Sequence, residues 1–184
     1  MTKKLRLHED RLFPADPTIR AIARELYGLS RDLPIISPHG HTDPGWFSGN
    51  APFTNATELL LAPDHYLYRM LYSQGIALER LGVPDRKGLV SADPREAWRL
   101  FAAHFHLFRG TPSSLWLNQV FTDIFGMEVR LDSDTADLYF DRIGEALQTA
   151  SFRPRALFER FKIEVIATTE GPTDTLEHHH SIKK

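Results

Sequence analysis

The sequence has 184 residues, of which 42% are hydrophobic and 25% are charged, and its formal net charge is −2. This composition is typical of a globular domain, and the balanced charge argues against a nucleic-acid partner, which needs clustered positive residues. No stretch approaches the roughly 18 unbroken apolar residues of a membrane helix, and no secretory signal is recognisable, so we expect a cytoplasmic protein without a membrane partner. Because the chain has no cysteine, a bound metal ion would need His, Asp or Glu ligands.

The first predicted elements are a helix and a short strand. Asp16-Pro17 is a helix-start signal, and apolar residues recur at helical spacing from Ile19 to about Ser30. The stretch LPIISPHGHTDP (33–44) begins with apolar, β-branched residues and is bounded by prolines. This pattern predicts a buried strand followed by a loop.

A long and mainly helical region comes next. Asn55 and Glu58 have the spacing of a capping box, and Asp93-Pro94 with Glu96 is a stronger helix start. The second of these helices carries an apolar stripe that we expect to be buried: Trp98, Phe101, Ala102 and Phe105. Both signals predict helices that pack through one apolar face.

Three further helices are predicted before the chain returns to a strand. Thr111-Pro112 opens the first, which ends near Gly126, and the others cover residues 134–147 and 153–161. In the first, we expect four residues to face inward: Leu115, Trp116, Val120 and Phe121.

A second strand is predicted within FKIEVIATTEGPTD (161–174), followed by a polar turn and a helix from about Asp174. The helical region between the two strands is much longer than a simple crossover, which indicates a helical insertion. Two parallel strands cannot form a stable buried sheet alone. The sequence therefore predicts the N-terminal part of a longer fold. Without the rest of that fold, the apolar sides of the two strands would be exposed, and we expect this exposure to favour self-association into a homo-oligomer.

The pair His39 and His41 follows the first predicted strand. Residues i and i+2 of a strand point to the same side, so both imidazoles could reach one ion, with Gly40 adding no bulk. Zinc usually takes at least three protein ligands, so the pair alone is incomplete. From these residues alone, a metal site and an ordinary turn that contains histidine both stay open.

His65 and Tyr66 follow Asp64, which can cap a helix that continues through Met70. The spacing alone favours a structural interpretation, in which Tyr66 packs on Met70 at i+4 while His65 meets solvent.

Four segments together resemble the uronate isomerase (glucuronate isomerase) family of the amidohydrolase superfamily. They are LHEDRLFPADPTIRAIARELY (7–27), LPIISPHGHTDP (33–44), TELLLAPDHYLYRML (57–71) and IEVIATTEGPTDTLEHH (163–179). Their order and spacing agree with the family. The resemblance runs nearly end to end along this chain but covers only the N-terminal portion of a family member.

The resemblance implies an α/β fold, the N-terminal part of an elaborated (β/α)8 TIM barrel. Residues 1–44 would hold the N-terminal helix and the first barrel strand, residues 45–161 a mostly helical insertion, and residues 162–184 the second strand and the start of its helix. It also implies the aldose–ketose isomerisation of hexuronates, converting D-glucuronate to D-fructuronate and D-galacturonate to D-tagaturonate.

The resemblance also implies roles for four residues. His39 and His41 match the family's metal-binding pair, which implies a divalent metal cofactor, with zinc the first candidate. The family's third ligand is an aspartate of the last barrel strand, which has no counterpart in this sequence. We therefore expect weak or partial metal binding and no activity from this chain alone. His65 and Tyr66 match residues that contact the uronate substrate, and Tyr66 is the candidate catalytic proton-transfer group.

The sequence departs from the family in the turn after the second strand. Thr168-Thr169-Glu170-Gly171-Pro172 stands where the family has Thr-Thr-Asp-Asp-Pro, which leaves the role of Glu170 and the substrate preference open. Two other functions stay open as well. One is a related metal-dependent hydrolase, which would need a lysine or more histidines on middle strands, and the other is a non-catalytic helical binding fragment.

Overall fold

The structure, a computed structural model, describes residues 3–90 and 92–183 as a mixed α/β chain. Within these ranges its elements are α1 (Pro17–Ser30), β1 (Ile35–Ser37), α2 (Pro44–Gly49), α3 (His65–Ser73), α4 (Pro94–Ala103), α5 (Pro112–Gln119), α6 (Ala136–Leu147), α7 (Pro154–Arg160), β2 (Ile163–Ile166) and α8 (Glu177–Ile182). Short 3₁₀ turns cover Leu78–Leu81, Phe105–Phe108 and Ala150–Phe152, and π turns cover Thr57–Leu61 and Val120–Ile124. No helix in the described ranges is long and apolar enough to cross a membrane.

The predicted helix starts are confirmed by their capping hydrogen bonds. The Asp16 carboxylate accepts from the Ile19 backbone N–H at 2.9 Å, and the Asp93 carboxylate accepts from Glu96 N–H at 3.0 Å. Each cap is followed by a proline, whose missing N–H costs nothing in the first turn. Asn55 also caps, accepting from Glu58 N–H at 3.0 Å, but the segment it opens is a π turn.

The chain folds into two compact units, each assembled from two parts of the sequence. The first unit combines the residues up to 7 with residues 53–148, and the second combines residues 8–52 with those from 149 onward.

The first unit has a closed aromatic core. The predicted stripe of α4 is confirmed: Trp98, Phe101, Ala102 and Phe105 are all buried. The Trp98 indole N–H donates to the Ala136 carbonyl at 3.1 Å, and the rings of Phe121 and Tyr139 meet edge to face with centroids 4.9 Å apart. Such aromatic contacts add to the stabilisation that comes from buried apolar area.

The prediction for α5 is wrong for two of its four residues. Leu115 and Trp116 are 46% and 49% exposed, Val120 is half-buried, and only Phe121 is fully buried. The buried face instead runs through residues four apart: Leu117, Phe121 and Phe125. Apolar residues cover most of the circumference of this helix, so the pattern could not select the face that packs.

The second unit contains the sheet. β1 and β2 pair in parallel, with Ile35 opposite Ile163 and Ser37 opposite Ile166, which confirms the two predicted strands and their direction. The prediction that the first strand is buried is wrong for this chain, because Ile35 is 48% and Ile36 is 63% exposed where no further element covers them. The last helix begins at Glu177, later than the predicted start near Asp174. The Asp174 carboxylate is used elsewhere, because it accepts from the Gly171 N–H at 2.7 Å and closes the turn after β2.

Candidate functional site

The candidate site lies at the carboxyl edge of the parallel strands in the second unit. Parallel pairing brings the ends of β1 and β2 to the same edge of the sheet. The pairing continues past the strands, because the Ala167 N–H donates to the Ser37 carbonyl at 2.9 Å. The loop that contains the two histidines therefore runs beside the loop that starts at Ala167.

His39 and His41 lie in the loop that follows β1, because β1 ends at Ser37. The strand alternation that was expected to align them therefore does not apply. The rings converge nevertheless. Their Nε2 atoms are 3.2 Å apart, the ring planes are at 84°, and both side chains are exposed.

The separation of the two nitrogens fits a shared metal ion. Two imidazole nitrogens bound to one tetrahedral zinc at about 2.0–2.1 Å would be about 3.3 Å apart. The same separation also allows one Nε2–H to donate to the other Nε2. The part of the chain that the structure describes holds no group of three His, Cys, Asp or Glu residues that could bind a metal. The described residues thus bring together two candidate ligands, whereas zinc usually takes at least three from the protein.

The histidine loop is held against the neighbouring strand by close backbone contact. The Thr169 hydroxyl donates to the Gly40 carbonyl at 2.7 Å, and the Ser37 hydroxyl donates to the His39 carbonyl at 3.1 Å. A Cβ on Gly40 would lie 3.0 Å from the Ala167 carbonyl oxygen, which is closer than side chains normally approach. Glycine between the histidines therefore allows an approach of the two loops that a Cβ would push apart by a few tenths of an ångström. Sequence reasoning missed Thr169, although a polar turn directly after a neighbouring parallel strand was a usable signal.

The divergent turn after β2 contacts α8. The Thr168 hydroxyl and His179 Nε2 are 2.9 Å apart, and Glu170 Oε1 lies 3.4 Å from the same nitrogen. That Glu170 oxygen is buried and has no hydrogen-bond partner within the described residues. Glu170 thus belongs to the packing of α8 on the turn.

The segment after the histidines is fixed by polar contacts around α2. Asp43 caps this helix, accepting from the Gly45 N–H at 2.7 Å, so its carboxylate is engaged. At the other end, Arg155 donates to the carbonyls of Phe47 and Ser48 at 2.8 Å and 3.2 Å. The Ser48 hydroxyl also lies 2.9 Å from Nδ1 of His178, which links α2 to α8.

His65 and Tyr66 lie in the first unit, in the first turn of α3. The Asp64 carboxylate accepts from the Tyr66 N–H at 2.8 Å, which confirms the predicted cap. The buried face of the helix is formed by Leu67 and Leu71, so Tyr66 is 67% exposed and stays outside the core. The two rings lie against each other, with centroids 4.2 Å apart.

Comparison with known proteins gives a consistent result. The sequence model of the glucuronate isomerase family matches residues 17–184. The uronate isomerase of Phenylobacterium zucineum is 69% identical over 183 residues, which is all of this chain and 38% of that protein. The uronate isomerase of Xanthomonas campestris pv. campestris (strain B100) is 65% identical over 184 residues, again all of this chain and 39% of that protein.

Two crystal structures are also similar. Glucuronate isomerase from Caulobacter crescentus matches with a TM-score of 0.96 and 63% identity, covering 98% of this chain and 38% of that one. Uronate isomerase from Thermotoga maritima matches with a TM-score of 0.83 and 28% identity, covering 97% and 36%. The chain therefore spans less than two-fifths of the length of these relatives. The resemblance found in the four segments is confirmed, and the chain belongs to the glucuronate isomerase family.

Proposed function

We propose that this chain forms part of an enzyme that interconverts hexuronate aldoses and ketoses, D-glucuronate with D-fructuronate and D-galacturonate with D-tagaturonate. The observation that carries the proposal is the convergence of His39 and His41, with Nε2 atoms 3.2 Å apart, beside paired parallel strands in a member of this family. Because the chain spans 38% of its curated relatives, catalysis would also require residues that are not in this sequence.

The proposed fold of the whole protein is a (β/α)8 barrel with the chain at its beginning. In this proposal residues 1–44 supply the first strand, residues 45–161 form the helical insertion, and residues 162–184 supply the second strand. Exposed apolar residues on the strands support it, since Ile36 is 63% and Val165 is 47% exposed. A sheet of two strands needs further elements to cover such residues.

His39 and His41 would hold a divalent metal ion, with zinc as the first candidate. Such an ion would supply positive charge for orienting the uronate carboxylate and a neighbouring hydroxyl. The chain contributes the imidazole pair and the contacts that fix the loop, the Thr169 hydroxyl on the Gly40 carbonyl and the close packing of Gly40 on Ala167. With two ligands, binding to this chain alone would be weak or partial.

The isomerisation moves a proton between adjacent carbons while the carbonyl changes place. The carbon acid is weak, so the enzyme must stabilise an ene-diolate and provide an acid–base group. Tyr66 is proposed as that group, and His65 as a substrate contact beside it. The two-thirds exposure of Tyr66 supports this role, because a side chain that is not buried in the core can reach a substrate. A cytoplasmic location and assembly into a homo-oligomer are further parts of the proposal.

The first experiment is a D-glucuronate turnover assay on the protein at the length that its natural reading frame encodes, with and without a chelator. Formation of the ketose that stops on complete metal removal and returns with zinc is expected. Turnover that survives metal removal would contradict the metal role, and the absence of ketose would contradict the isomerase assignment.

The second experiment tests Tyr66 with a matched control on the same helix. Tyr66→Phe should lower kcat at least about 100-fold, the lower end of what general acid–base catalysis contributes. Tyr72→Phe, a substitution at an exposed tyrosine of α3, should leave kcat unchanged. Unchanged turnover of Tyr66→Phe would remove this residue from the mechanism.

A further inference from the structure

The first unit contains a basic cavity that the isomerase proposal does not use. It has a volume of about 410 Å³, and four basic residues are among those that line it: Lys3, Arg6, Arg109 and Arg130. Cavities of a few hundred cubic ångströms are of the size that binds small molecules. The lining also includes three buried apolar residues, Leu5, Phe105 and Leu131.

The cavity is built by contacts between distant parts of the sequence. The N-terminal segment pairs with residues 128–130 in an antiparallel bridge, in which the Leu5 N–H donates to the Glu128 carbonyl at 2.7 Å. In the same bridge, the Arg130 N–H donates to the Lys3 carbonyl at 2.8 Å. This pairing brings Lys3 and Arg6 to the wall that also carries Arg130. Arg109 comes from a third segment, just after the 3₁₀ turn Phe105–Phe108.

Among the described residues that line the cavity, the four basic residues outnumber the acidic ones, of which Asp132 is one. None of the four basic side chains makes an ion pair there, whereas elsewhere in the same unit Arg95 and Arg99 bind Asp137. These two arginines hold the pKa of Asp137 below its usual value. The carboxylate that lines the cavity belongs to Asp132. Its Oδ1 atom already accepts from the backbone N–H groups of Asp134 and Thr135, at 3.0 Å and 3.2 Å.

We propose that this cavity binds a small oxyanion with more than one negative group, either a phosphate compound or a di- or tricarboxylate. Four basic residues from three segments line one concave surface, and this clustering of positive charge suits several anionic groups on one ligand. A long nucleic acid is disfavoured, because the chain carries a net charge of −2 and these basic residues are gathered at one cavity rather than along an extended face. The proposal does not rest on the isomerase function.

The test measures anion binding by calorimetry in the protein at its natural length, treated with chelator so that no anion can bind through a metal ion. Pyrophosphate and citrate serve as separate probes for the phosphate and carboxylate classes, and acetate serves as the monovalent comparison. Saturable binding of at least one of the multivalent probes, weaker at higher salt, is expected. Acetate should bind much more weakly.

Paired substitutions locate the binding. Arg109→Gln with Arg130→Gln should raise the Kd at least about tenfold, as expected when two charge-assisted contacts are lost. The matched control is Arg86→Gln with Arg142→Gln, which removes the same charge from exposed arginines outside the cavity. This control should change the Kd less than about twofold, the size of a screened surface-charge effect. Circular dichroism on both double variants checks that they fold.

Three results would overturn the proposal. In the first, neither multivalent probe binds saturably to the wild-type protein. In the second, both double variants lose affinity equally, which would mean that the anion responds only to net charge. In the third, the Arg109 and Arg130 variant binds as tightly as the wild type, which would locate the anion elsewhere.

Discussion

The two units of the chain differ in how far they bury their apolar side chains. In the first, large side chains such as Trp98, Phe101 and Tyr139 are completely buried. In the described part of the second unit, Pro154 is the one buried residue, and the apolar face of α1 is open, with Ile22 55% and Leu26 62% exposed. Burial of apolar area is the main favourable term in folding, so the first unit has its own source of stability.

This difference separates stability from the candidate site. The histidine loop belongs to the unit without a closed core, and it is held by hydrogen bonds and close backbone packing. Thr169 on Gly40 and Ser37 on His39 are such contacts. Substitutions in the first unit should therefore change the free energy of unfolding, whereas substitutions in the histidine loop should mainly change metal affinity.

The largest expected effect is that of Trp98→Ala in the first unit. Removing a fully buried tryptophan should cost about 3–5 kcal/mol of stability, measured by urea unfolding of the natural-length protein. Trp116→Ala is the matched control, because this tryptophan is 49% exposed, and it should cost less than about 1 kcal/mol. Equal losses in the two variants would contradict the assignment of Trp98 to the core of the first unit and of Trp116 to its surface.

Gly40→Ala is expected to have the next largest effect, and it acts on the second unit. The new Cβ would lie 3.0 Å from the Ala167 carbonyl oxygen, so one loop must shift, at a cost of about 1–3 kcal/mol. Zinc affinity of the natural-length protein, measured by competition with a chromophoric chelator, should fall about tenfold or more. Gly49→Ala is the control, because no atom outside its own stretch of helix lies within 4 Å of the position that a Cβ would take there. Zinc affinity of Gly40→Ala as high as in the wild type would contradict the role of the close approach.

Local signals in the sequence predicted the local structure well. The caps Asp16 and Asp93 act on backbone groups within three residues, so their patterns could be read directly from the sequence. The two strands were predicted for a similar reason, since short β-branched runs between turn residues are local too.

Contacts between distant segments could not be predicted in the same way. The hydroxyl of Thr169 meets Gly40 across 129 positions of sequence, and no local pattern encodes that pairing. The prediction that Leu115 and Trp116 of α5 face inward was wrong. The elements that pack against a helix decide which of its apolar faces is buried, and the helix sequence alone does not identify that face. The convergence of the histidines was expected from strand alternation, whereas the structure produces it in a loop.

Tyr139→Phe tests how the stability of the core of the first unit depends on high pH. Burial, with a smaller contribution from Asp132, raises the pKa of the Tyr139 phenol above its ordinary value of 10.0. The stability linked to the neutral phenol is complete below that value and is lost as the pH rises towards the folded-state pKa. Tyr139→Phe should cost about 1 kcal/mol at neutral pH, because the Val129 carbonyl loses its hydroxyl donor.

The same variant should lose less stability than the wild type between neutral pH and pH values above about 10, where unfolded tyrosine ionises. Urea unfolding across this range measures the difference. Tyr72→Phe, at an exposed tyrosine, should keep the wild-type profile. Parallel profiles for wild type and Tyr139→Phe would contradict a contribution from this phenol.

Thr169→Val is expected to have the smallest effect and the most specific one. Valine keeps the shape of threonine but removes the hydroxyl that donates to the Gly40 carbonyl at 2.7 Å. Because this carbonyl lies near the surface and water can replace the lost donor, the cost should be about 0.5–1 kcal/mol, or a two- to fivefold loss of zinc affinity. Thr173→Val, at an exposed position of the same loop, should leave the affinity unchanged. If both variants lose affinity equally, general loosening of the loop explains the effect. If only Thr169→Val does, the histidine pair depends on a hydrogen bond from the neighbouring strand, as expected of a unit that holds its site without a core of its own.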